Sequence, residues 1–280
     1  MIIAGPCSVE SREQTLATYR GLAACGCVDM IRGGVWKPRT YPSCFQGVGE
    51  VGLEWLAEAK AETGLPFGVE VANSRHVEAA LGAGADMVWI GARTTGNPFS
   101  VQEVADALRG TEVLVLVKNA QMPDTGLWTG AVERMLTAGV GPERLVLVHR
   151  GFAQTSGNEY RNPPVWHVAL EMRRRFPELK MLCDPSHICG RREGLAATAQ
   201  KAADLSYDGL FMESHVRPDE ALSDAAQQVT PEQLGELLAG IRWRRETVDV
   251  PQFEADMERL RLEIDQIDAQ LFALLSRRMG

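Results

Sequence analysis

The stretch VLVLVKNAQMPDTGLW, residues 113–128, contains the unit from which the fold is built. Residues 113–117 are apolar without interruption, which is typical of a strand buried on both faces of a parallel sheet. The strand ends at Lys118, and the apolar spacing that follows predicts a helix over about 126–138. The stretch RLVLVHRG, residues 144–151, repeats the arrangement and precedes a predicted helix over about 164–175. Buried strands with polar ends therefore alternate with amphipathic helices.

The same alternation extends outward over most of the 280 residues. The other predicted strands lie in MIIAG (1–5), VDMIRGG (28–34), FGVEV (67–71), DMVWIGA (86–92), KMLCDPS (180–186) and GLFMES (209–214), and the other predicted helices over about 11–24, 49–63, 74–81, 100–108, 192–204 and 231–242. Eight consecutive units predict an α/β fold, a (β/α)8 TIM barrel, because eight buried parallel strands close at a radius that side chains can fill. An open, doubly wound sheet is the alternative.

The C-terminal residues follow a different pattern. Residues 253–280, FEADMERLRLEIDQIDAQLFALLSRRMG, place apolar side chains at spacings of 3, 4, 3, 4 and 3, at Met257, Leu260, Ile264, Ile267, Leu271 and Leu274. This heptad pattern predicts one long helix that pairs with another helix. We therefore predict a barrel domain over residues 1–245, a linker over 246–251 and a C-terminal heptad-patterned helix over 252–280.

Composition narrows the possible classes of protein. The formal net charge is -8 and the isoelectric point is near 5.3, so a general nucleic-acid surface, which needs a basic face, is not expected. No apolar run approaches the roughly 20 residues of a membrane span. The N-terminus lacks the pattern of a secretory signal, and the six cysteines show no CxxC pairs, so a cytoplasmic location and reduced thiols are predicted.

Polar residues at three strand ends suggest a metal site. Cys7, His187 and Glu213 follow strands one, seven and eight, which become neighbours when a barrel closes, and Asp224 lies in the loop after strand eight. One soft and three harder ligands suit Mn²⁺, Fe²⁺, Co²⁺ or Zn²⁺ better than Ca²⁺ or Mg²⁺. For each residue alone, burial as an ordinary core group is the alternative.

Cationic residues at the strand ends suggest an anionic ligand. They would face one mouth of the barrel: Arg32, Lys37, Arg39, Arg93, Lys118 and Arg150. Phosphate is the natural ligand because guanidinium groups match its oxygens bidentately. Two alternatives stay open: some of these cations pair with Glu70, Glu213 and Asp224, and Lys118 could form a Schiff base as in a metal-free aldolase.

Six motifs in this order resemble one enzyme family. They are IAGPCSVES (3–11), RGGVWKPRT (32–40), GAR (91–93), HRG (149–151), DPSH (184–187) and the Glu-Ser pair at 213–214. Residues 2 to 243 thereby resemble the 3-deoxy-D-arabino-heptulosonate 7-phosphate (DAHP) synthases. The sister octulosonate synthases carry Lys-Ala-Asn where this chain has KPRT, so the resemblance favours the seven-carbon product.

The resemblance implies a reaction and a role for each motif. Phosphoenolpyruvate, erythrose 4-phosphate and water would give DAHP and phosphate, the first step of the shikimate pathway, with a divalent metal, above all Mn²⁺, on Cys7, His187, Glu213 and Asp224. The residues implied around phosphoenolpyruvate are Arg32, Lys37, Arg93, Lys118 and Arg150, with Glu70 close by; Arg39 and Thr40 would hold erythrose 4-phosphate. Lys37, Lys118 and Glu70 are the implied catalytic groups. The alternatives are octulosonate 8-phosphate synthesis from arabinose 5-phosphate, or a regulatory or assembly module.

The C-terminal segment resembles a second family. LRLEIDQIDAQLFALLSRRM, residues 260–279, is similar to the first helix of the all-helical chorismate mutases. The match implies that Arg261 and Arg278 stand where those enzymes hold the carboxylates of chorismate. The later mutase helices are not in this sequence, so a truncated synthase–mutase fusion without mutase activity is expected. A homodimer or homotetramer is also expected, and the tail helix would pair with another mutase helix.

Overall fold

The predicted barrel is confirmed. The structure, a computed structural model, describes residues 1–39, 41–154, 159–244 and 251–279. Eight parallel strands form one closed barrel in which each strand pairs with its neighbours in sequence and β8 closes on β1. The strands are β1 Ile2–Gly5, β2 Met30–Arg32, β3 Phe67–Val71, β4 Met87–Ile90, β5 Leu114–Lys118, β6 Leu145–His149, β7 Lys180–Cys183 and β8 Gly209–Glu213.

Helices follow the strands and cover the outside of the barrel. They are α1 Arg12–Cys25, α2 Val51–Thr63, α3 Ser74–Gly82, α4 Ala92–Thr95, α5 Pro98–Ala107, α6 Thr125–Thr137, α7 Trp166–Arg175, α8 Pro185–Cys189, α9 Leu195–Asp204 and α10 Pro231–Gly240. The sequence did not predict the short helices α4 and α8. Each is a single turn at the end of a strand, too short to show an apolar period.

Local sequence explains where several helices begin. The Asn97 side chain accepts hydrogen bonds from the backbone N–H groups of Phe99 and Ser100, and Pro98 occupies the first turn of α5. Asp124 caps α6 in the same way. Thr230 and Gln233 form a reciprocal capping box at the start of α10. These caps satisfy N–H groups that have no partner within the helix.

Two apolar layers hold the barrel together. The larger layer lies between strands and helices and includes Trp128, which is fully buried and donates from Nε1 to the carbonyl of Val117 at 3.1 Å. The smaller layer fills the barrel interior and includes Trp89 and Phe211, whose rings meet edge to face with centroids 5.3 Å apart. This interior layer forms an aromatic floor beneath the carboxyl ends of the strands.

The C-terminal segment forms a second compact unit. The chain divides into Met1–Trp243 and Arg244–Gly280, and the second unit contains α11, Pro251–Met279. The apolar residues of the predicted heptad seam are 37% to 60% exposed along α11. Most of the predicted linker, residues 246–250, lies outside the described residues. Among the described residues, no helix is both long and apolar enough to cross a membrane.

The prediction of reduced thiols is wrong at one pair. Cys25 and Cys27 form a disulfide across Gly26, the left-handed residue that ends α1. The turn that ends the helix brings the two side chains together, and a C-x-C spacing alone does not predict this contact. Cys7, Cys44, Cys183 and Cys189 are free.

We expect Trp128→Ala to lower the free energy of unfolding by about 3–5 kcal/mol, because a large buried ring would be replaced by a cavity. Urea denaturation followed by circular dichroism measures this change. Trp243, which is 40% exposed, provides the matched control, and its replacement by Ala should cost less than about 0.5 kcal/mol. Equal losses in the two variants would contradict the packing described for Trp128.

Candidate active site

Three of the predicted metal ligands form a cluster at the carboxyl end of the barrel. Cys7 lies just after β1, Glu213 ends β8, and Asp224 lies in the following loop. One ligand atom from each lies within 4.8 Å of the other two. Pairing of Gly5 with Glu213 in the β1–β8 register brings the first two together. Asp224 adopts a left-handed conformation with φ of 48°, unusual for a residue other than glycine, and its Oδ2 lies 3.3 Å from the Cys7 sulfur.

His187 lies beside this cluster. It belongs to the single turn α8, whose N-cap Asp184 accepts the backbone N–H of His187 at 3.0 Å. The ring Nε2 lies 3.7 Å from Glu213 Oε1, and Nδ1 lies 2.8 Å from Asp184 Oδ2. Burial lowers the pKa of His187, and the neighbouring Asp184 partly offsets this; in its neutral form the imidazole can act as a metal ligand through Nε2.

The buried atoms of the cluster fit a divalent cation. Glu213 is fully buried, and its Oε1 has no hydrogen-bond partner. Burial alone would raise the pKa of Glu213, but His187 and Arg32 lower it, so the carboxylate is charged. Burial also raises the pKa of the Cys7 thiol to about 12, and a bound metal would reverse this by stabilising the thiolate. Sulfur, imidazole and carboxylate donors form a suitable set for a borderline divalent ion.

Lys37 connects the cluster with the cavity above it. Its Nζ donates to the Cys7 sulfur at 3.1 Å and to the Cys7 carbonyl at 2.9 Å. Gly34 permits this approach, since a Cβ there would lie 2.5 Å from the Cys7 carbonyl oxygen. Burial alone would lower the pKa of Lys37, but Cys7 and nearby Glu70 raise it, so the side chain is an ammonium.

A cation-rich cavity opens beside the cluster. Its volume is about 260 Å³, and its lining includes the cations Lys37, Arg39, Arg93, Lys118, Arg150 and Arg161. The carboxylates on the same lining are those of Glu70 and Asp224. Burial lowers the pKa of Arg150 only to about 10, so it stays charged at neutral pH, and its Nη1 donates to Asn162 Oδ1 at 2.7 Å. Cations outnumber carboxylates on this lining, so the cavity is a candidate site for an anionic ligand.

Asp184 joins the cavity to the metal cluster. Its Oδ2 accepts from Lys118 Nζ at 2.9 Å and also faces His187 Nδ1. Burial alone would raise the pKa of Asp184, but His187 and Lys118 lower it well below its ordinary value. Burial lowers the pKa of Lys118, and Asp184 partly offsets this. One buried carboxylate therefore fixes both a cavity cation and a candidate metal ligand.

Glu70 is held on the cavity wall by its neighbours in the barrel. Its Oε2 accepts from Trp89 Nε1 at 3.2 Å across the β3–β4 pair. A Cβ at Gly91 would lie 2.1 Å from Glu70 Oε1. The glycine of the GAR motif therefore makes room for this carboxylate, while Arg93 of the same motif lines the cavity.

Arg32 lies deeper than the sequence suggested. It is 1% exposed and lies beneath the cavity, with its guanidinium carbon 4.9 Å from the Trp89 ring and 4.7 Å from the Phe211 ring. Its Nη2 lies 3.3 Å from Glu213 Oε1. Its direct contact with substrate stays a prediction. Thr40 lies outside the described residues, and Arg261 and Arg278 are exposed on α11 of the other unit.

Sequence reasoning missed three features of the site. One is the link that Asp184 makes between Lys118 and His187, and the others are the positions of Arg161 and Gln227. The Asp-Pro-Ser-His stretch carries a usable signal for Asp184, since an aspartate followed by proline is typical of a helix N-cap. Arg161 and Gln227 lie in loops without periodicity. Their position at the site depends on contacts across 63 and 14 residues, to Asp224 and Glu213.

Comparison with known proteins identifies the family of the chain. Residues 1–248 match the model of the DAHP synthetase I family. The chain belongs to this family. It is 35% identical over 237 residues to a phospho-2-dehydro-3-deoxyheptonate aldolase of Thermotoga maritima, covering 85% of this chain and 67% of that protein. It is also 27% identical over 254 residues to a 2-dehydro-3-deoxyphosphooctonate aldolase of Nitratidesulfovibrio vulgaris, covering 85% and 89%.

Solved structures of the family share the fold. The crystal structure of the Thermotoga maritima DAHP synthase has a TM-score of 0.76 and 33% identity, with 85% of this chain and 67% of that chain covered. A truncated form of a DAHP synthase from the same organism has a TM-score of 0.72 and 30% identity, covering 85% and 84%. The resemblance inferred from the six motifs is thereby confirmed at the level of the family.

We expect Asp184→Asn to lower the free energy of unfolding at pH 7 by about 3–5 kcal/mol, because it leaves Lys118 buried without its counter-charge. Asp184 has a depressed pKa in the folded state, so its stabilisation is present above the unfolded value of about 3.9 and is lost as pH falls below it. The difference between wild type and variant should therefore shrink in acid. Urea denaturation at several pH values measures it.

The control is Glu62→Gln, which removes an exposed carboxylate paired with Arg20. Its effect should be much smaller, since exposed pairs contribute little. A difference for Asp184→Asn that stays constant from neutral pH into acid would contradict the proposed charge on Asp184.

Proposed function

We propose that this chain condenses phosphoenolpyruvate with erythrose 4-phosphate and water to give DAHP and phosphate, with the help of a divalent metal ion. Membership of the DAHP synthetase I family supports this reaction, as does the name of the Thermotoga maritima relative. The observation that carries it is the cation-lined cavity directly beside the Cys7, Glu213 and Asp224 cluster. Two phosphorylated substrates supply the negative charge that this lining lacks.

The cavity cations bind the phosphoenolpyruvate end. Arg93, Lys118 and Arg150 lie at the ends of adjacent strands β4, β5 and β6, where bidentate arginine contacts suit a phosphate or carboxylate. Arg39 lines the same cavity from the loop after β2 and, with Thr40, binds the sugar phosphate. Arg32, beneath them, supports the site with buried positive charge.

Two lysines and one glutamate manage the protons. A divalent metal ion held by Cys7, His187, Glu213 and Asp224, with Mn²⁺ favoured, would supply Lewis-acid polarisation of the aldehyde. Lys37 donates a proton at the aldehyde oxygen, because its ammonium lies within 3.1 Å of the Cys7 sulfur. Glu70 accepts a proton from the water that adds to the former enol carbon, and Lys118 donates a proton at the phosphate end, where the C–O bond of the resulting hemiketal phosphate breaks and inorganic phosphate leaves.

The sister reaction with arabinose 5-phosphate is the second candidate, because octulosonate aldolases are also relatives of this chain. The KPRT motif, residues 37–40, favours the four-carbon sugar. In KPRT, Arg39 lines the cavity and its Nε donates only weakly, to the Phe45 carbonyl at 3.3 Å. Its guanidinium is therefore available to an incoming phosphate.

We also propose the organisation of the whole chain. Residues 1–245 form the synthase domain, 246–251 a linker and 252–280 a segment related to the first helix of a chorismate mutase, in which Arg261 and Arg278 stand at the positions that bind carboxylates. The barrel assembles as a homodimer or homotetramer, and the tail helix pairs with another helix. A cytoplasmic location fits the phosphorylated substrates.

Removal of metal should abolish phosphate release from the two substrates, and Mn²⁺ should restore it. Cys7→Ala should lower this activity by more than about 100-fold, since even residues behind metal ligands often contribute 10- to 100-fold. The matched control is Cys189→Ala. Cys189 is buried, lies outside the cluster and is hydrogen-bonded to Thr198, so this variant should stay active. Activity that survives verified metal removal would contradict the metal site. Borohydride trapping on Lys118 would then favour a Schiff base.

Arg39→Met should raise the KM for erythrose 4-phosphate by about 10- to 100-fold while the KM for phosphoenolpyruvate changes little, because charged hydrogen bonds to one substrate are lost. Steady-state kinetics with each substrate varied in turn measures both constants. Arg109→Met, on the surface beside Asp106, is the control. A rise confined to phosphoenolpyruvate, or a wild type that prefers arabinose 5-phosphate, would overturn the assignment of the KPRT loop.

A further inference from the structure

A buried glutamine links two loops to the metal cluster. Gln227, 1% exposed, follows Asp224 by three residues. Its Nε2 donates to Glu213 Oε2 at 2.7 Å, and its Oε1 accepts from Arg161 Nη1 at 2.8 Å. The same Arg161 nitrogen donates to Asp224 Oδ1 at 3.0 Å. A continuous chain of hydrogen bonds thus runs between the two candidate carboxylate ligands.

The chemistry of the partners fixes the orientation of the Gln227 amide. A guanidinium can only donate, so the amide oxygen must face Arg161. A carboxylate can only accept, so the amide nitrogen must face Glu213. The opposite orientation would place two donors together at one end and two acceptors together at the other.

These hydrogen bonds engage one oxygen of each carboxylate, Glu213 Oε2 and Asp224 Oδ1, and do not involve the second oxygen. Glu213 Oε2 accepts a hydrogen bond from Gln227, while Glu213 Oε1 is buried without a hydrogen bond and lies 3.3 Å from Arg32 Nη2 and 3.7 Å from His187 Nε2. Asp224 Oδ1 is bonded to Arg161, while Asp224 Oδ2 faces the Cys7 sulfur. The remaining oxygens are the ones nearest the other candidate ligands.

We infer that Arg161 and Gln227 are positioning residues that select which oxygen of Glu213 and of Asp224 binds the divalent metal ion. The inference rests on the metal site of the proposed function. With one oxygen of each carboxylate held in a hydrogen bond, each carboxylate would offer its other oxygen to the ion. That restriction favours ions with few ligands over Ca²⁺, which takes six to eight oxygens and readily binds carboxylates through both.

Other contacts hold the loop that carries Gln227. Arg192 Nε donates to the Gln228 carbonyl at 2.6 Å, and the Gln228 side chain accepts the Cys7 backbone N–H at 3.0 Å. The loop therefore keeps its anchors when Gln227 or Arg161 is changed. A change in metal binding can then be assigned to the carboxylates.

The test uses Co²⁺, whose thiolate charge-transfer band reports binding to Cys7 and whose visible bands report the ligand set. Gln227→Met should weaken Co²⁺ binding by about 10- to 100-fold, measured by competition with a chelator, and should change the visible spectrum. Arg161→Met should do the same. Loss of a nearby cation alone would tighten Co²⁺ binding, so weakening by Arg161→Met separates positioning from simple electrostatics.

The chain offers a matched control on its surface. Gln102 Oε1 accepts from Arg134 Nη1 at 2.7 Å, and its Nε2 donates to Asp106 Oδ1 at 3.1 Å, the same arginine–glutamine–carboxylate arrangement away from the site. Gln102→Met should leave Co²⁺ affinity and spectrum unchanged. Thermal unfolding with the metal chelated verifies that each variant folds. If Gln227→Met does not fold, the Arg161→Met variant tests the positioning role by itself, because Arg161 is half-exposed and its replacement disturbs packing less.

The outcomes separate this inference from the proposed function. A wild type without a thiolate charge-transfer band would overturn both the metal site and the positioning role. A wild type with the band, and an Arg161→Met variant of unchanged or tighter affinity and unchanged spectrum, would overturn the positioning role alone. Weaker binding with an altered spectrum in both variants, but not in Gln102→Met, supports it.

Discussion

The fully buried carboxylate of Glu213 is the constraint on which the site depends. A buried charge without partners is severely destabilising, so the surrounding structure must compensate it. Arg32 lies 3.3 Å from one oxygen and Gln227 donates to the other, while aromatic rings on the barrel floor accommodate the guanidinium. Its position at the end of β8, opposite Gly5, places this carboxylate beside Cys7 and Asp224, where the proposed divalent cation would add a further counter-charge.

The compensation of buried charge also extends along the strand ends to the cation-lined cavity. Asp184 accepts from Lys118 and faces His187, so the cavity and the metal cluster share one buried anion. A shift of either neighbour would change the field at the other, because interactions between charges are strong where water is excluded. The positive lining of the cavity fits the proposed phosphorylated substrates, whose negative charge would balance it.

The sequence predicted the strands well because each is a short apolar run with a polar end, and ring closure then makes the first and last strands neighbours. That logic was sufficient to place Cys7, Glu213 and Asp224 together. It could not show that Arg32 lies beneath the cavity, because β2 is only three residues long and gives no reliable alternation. Nor could it find Arg161 or Gln227, whose roles depend on hydrogen bonds between irregular loops. The Cys25–Cys27 disulfide was missed because it depends on how α1 ends.

The barrel also separates the chemistry from the choice of sugar. The candidate metal ligands and the cavity cations proposed to bind phosphoenolpyruvate lie on strand ends or are tied to them by buried hydrogen bonds, so packing fixes their positions. Arg39, by contrast, lies in the loop after β2 and is anchored only through its own loop, at the Phe45 carbonyl. Substitution in such a loop can change the sugar that is bound without disturbing the buried charges. The presence of both a heptonate and an octonate aldolase among the relatives of this chain is consistent with that separation.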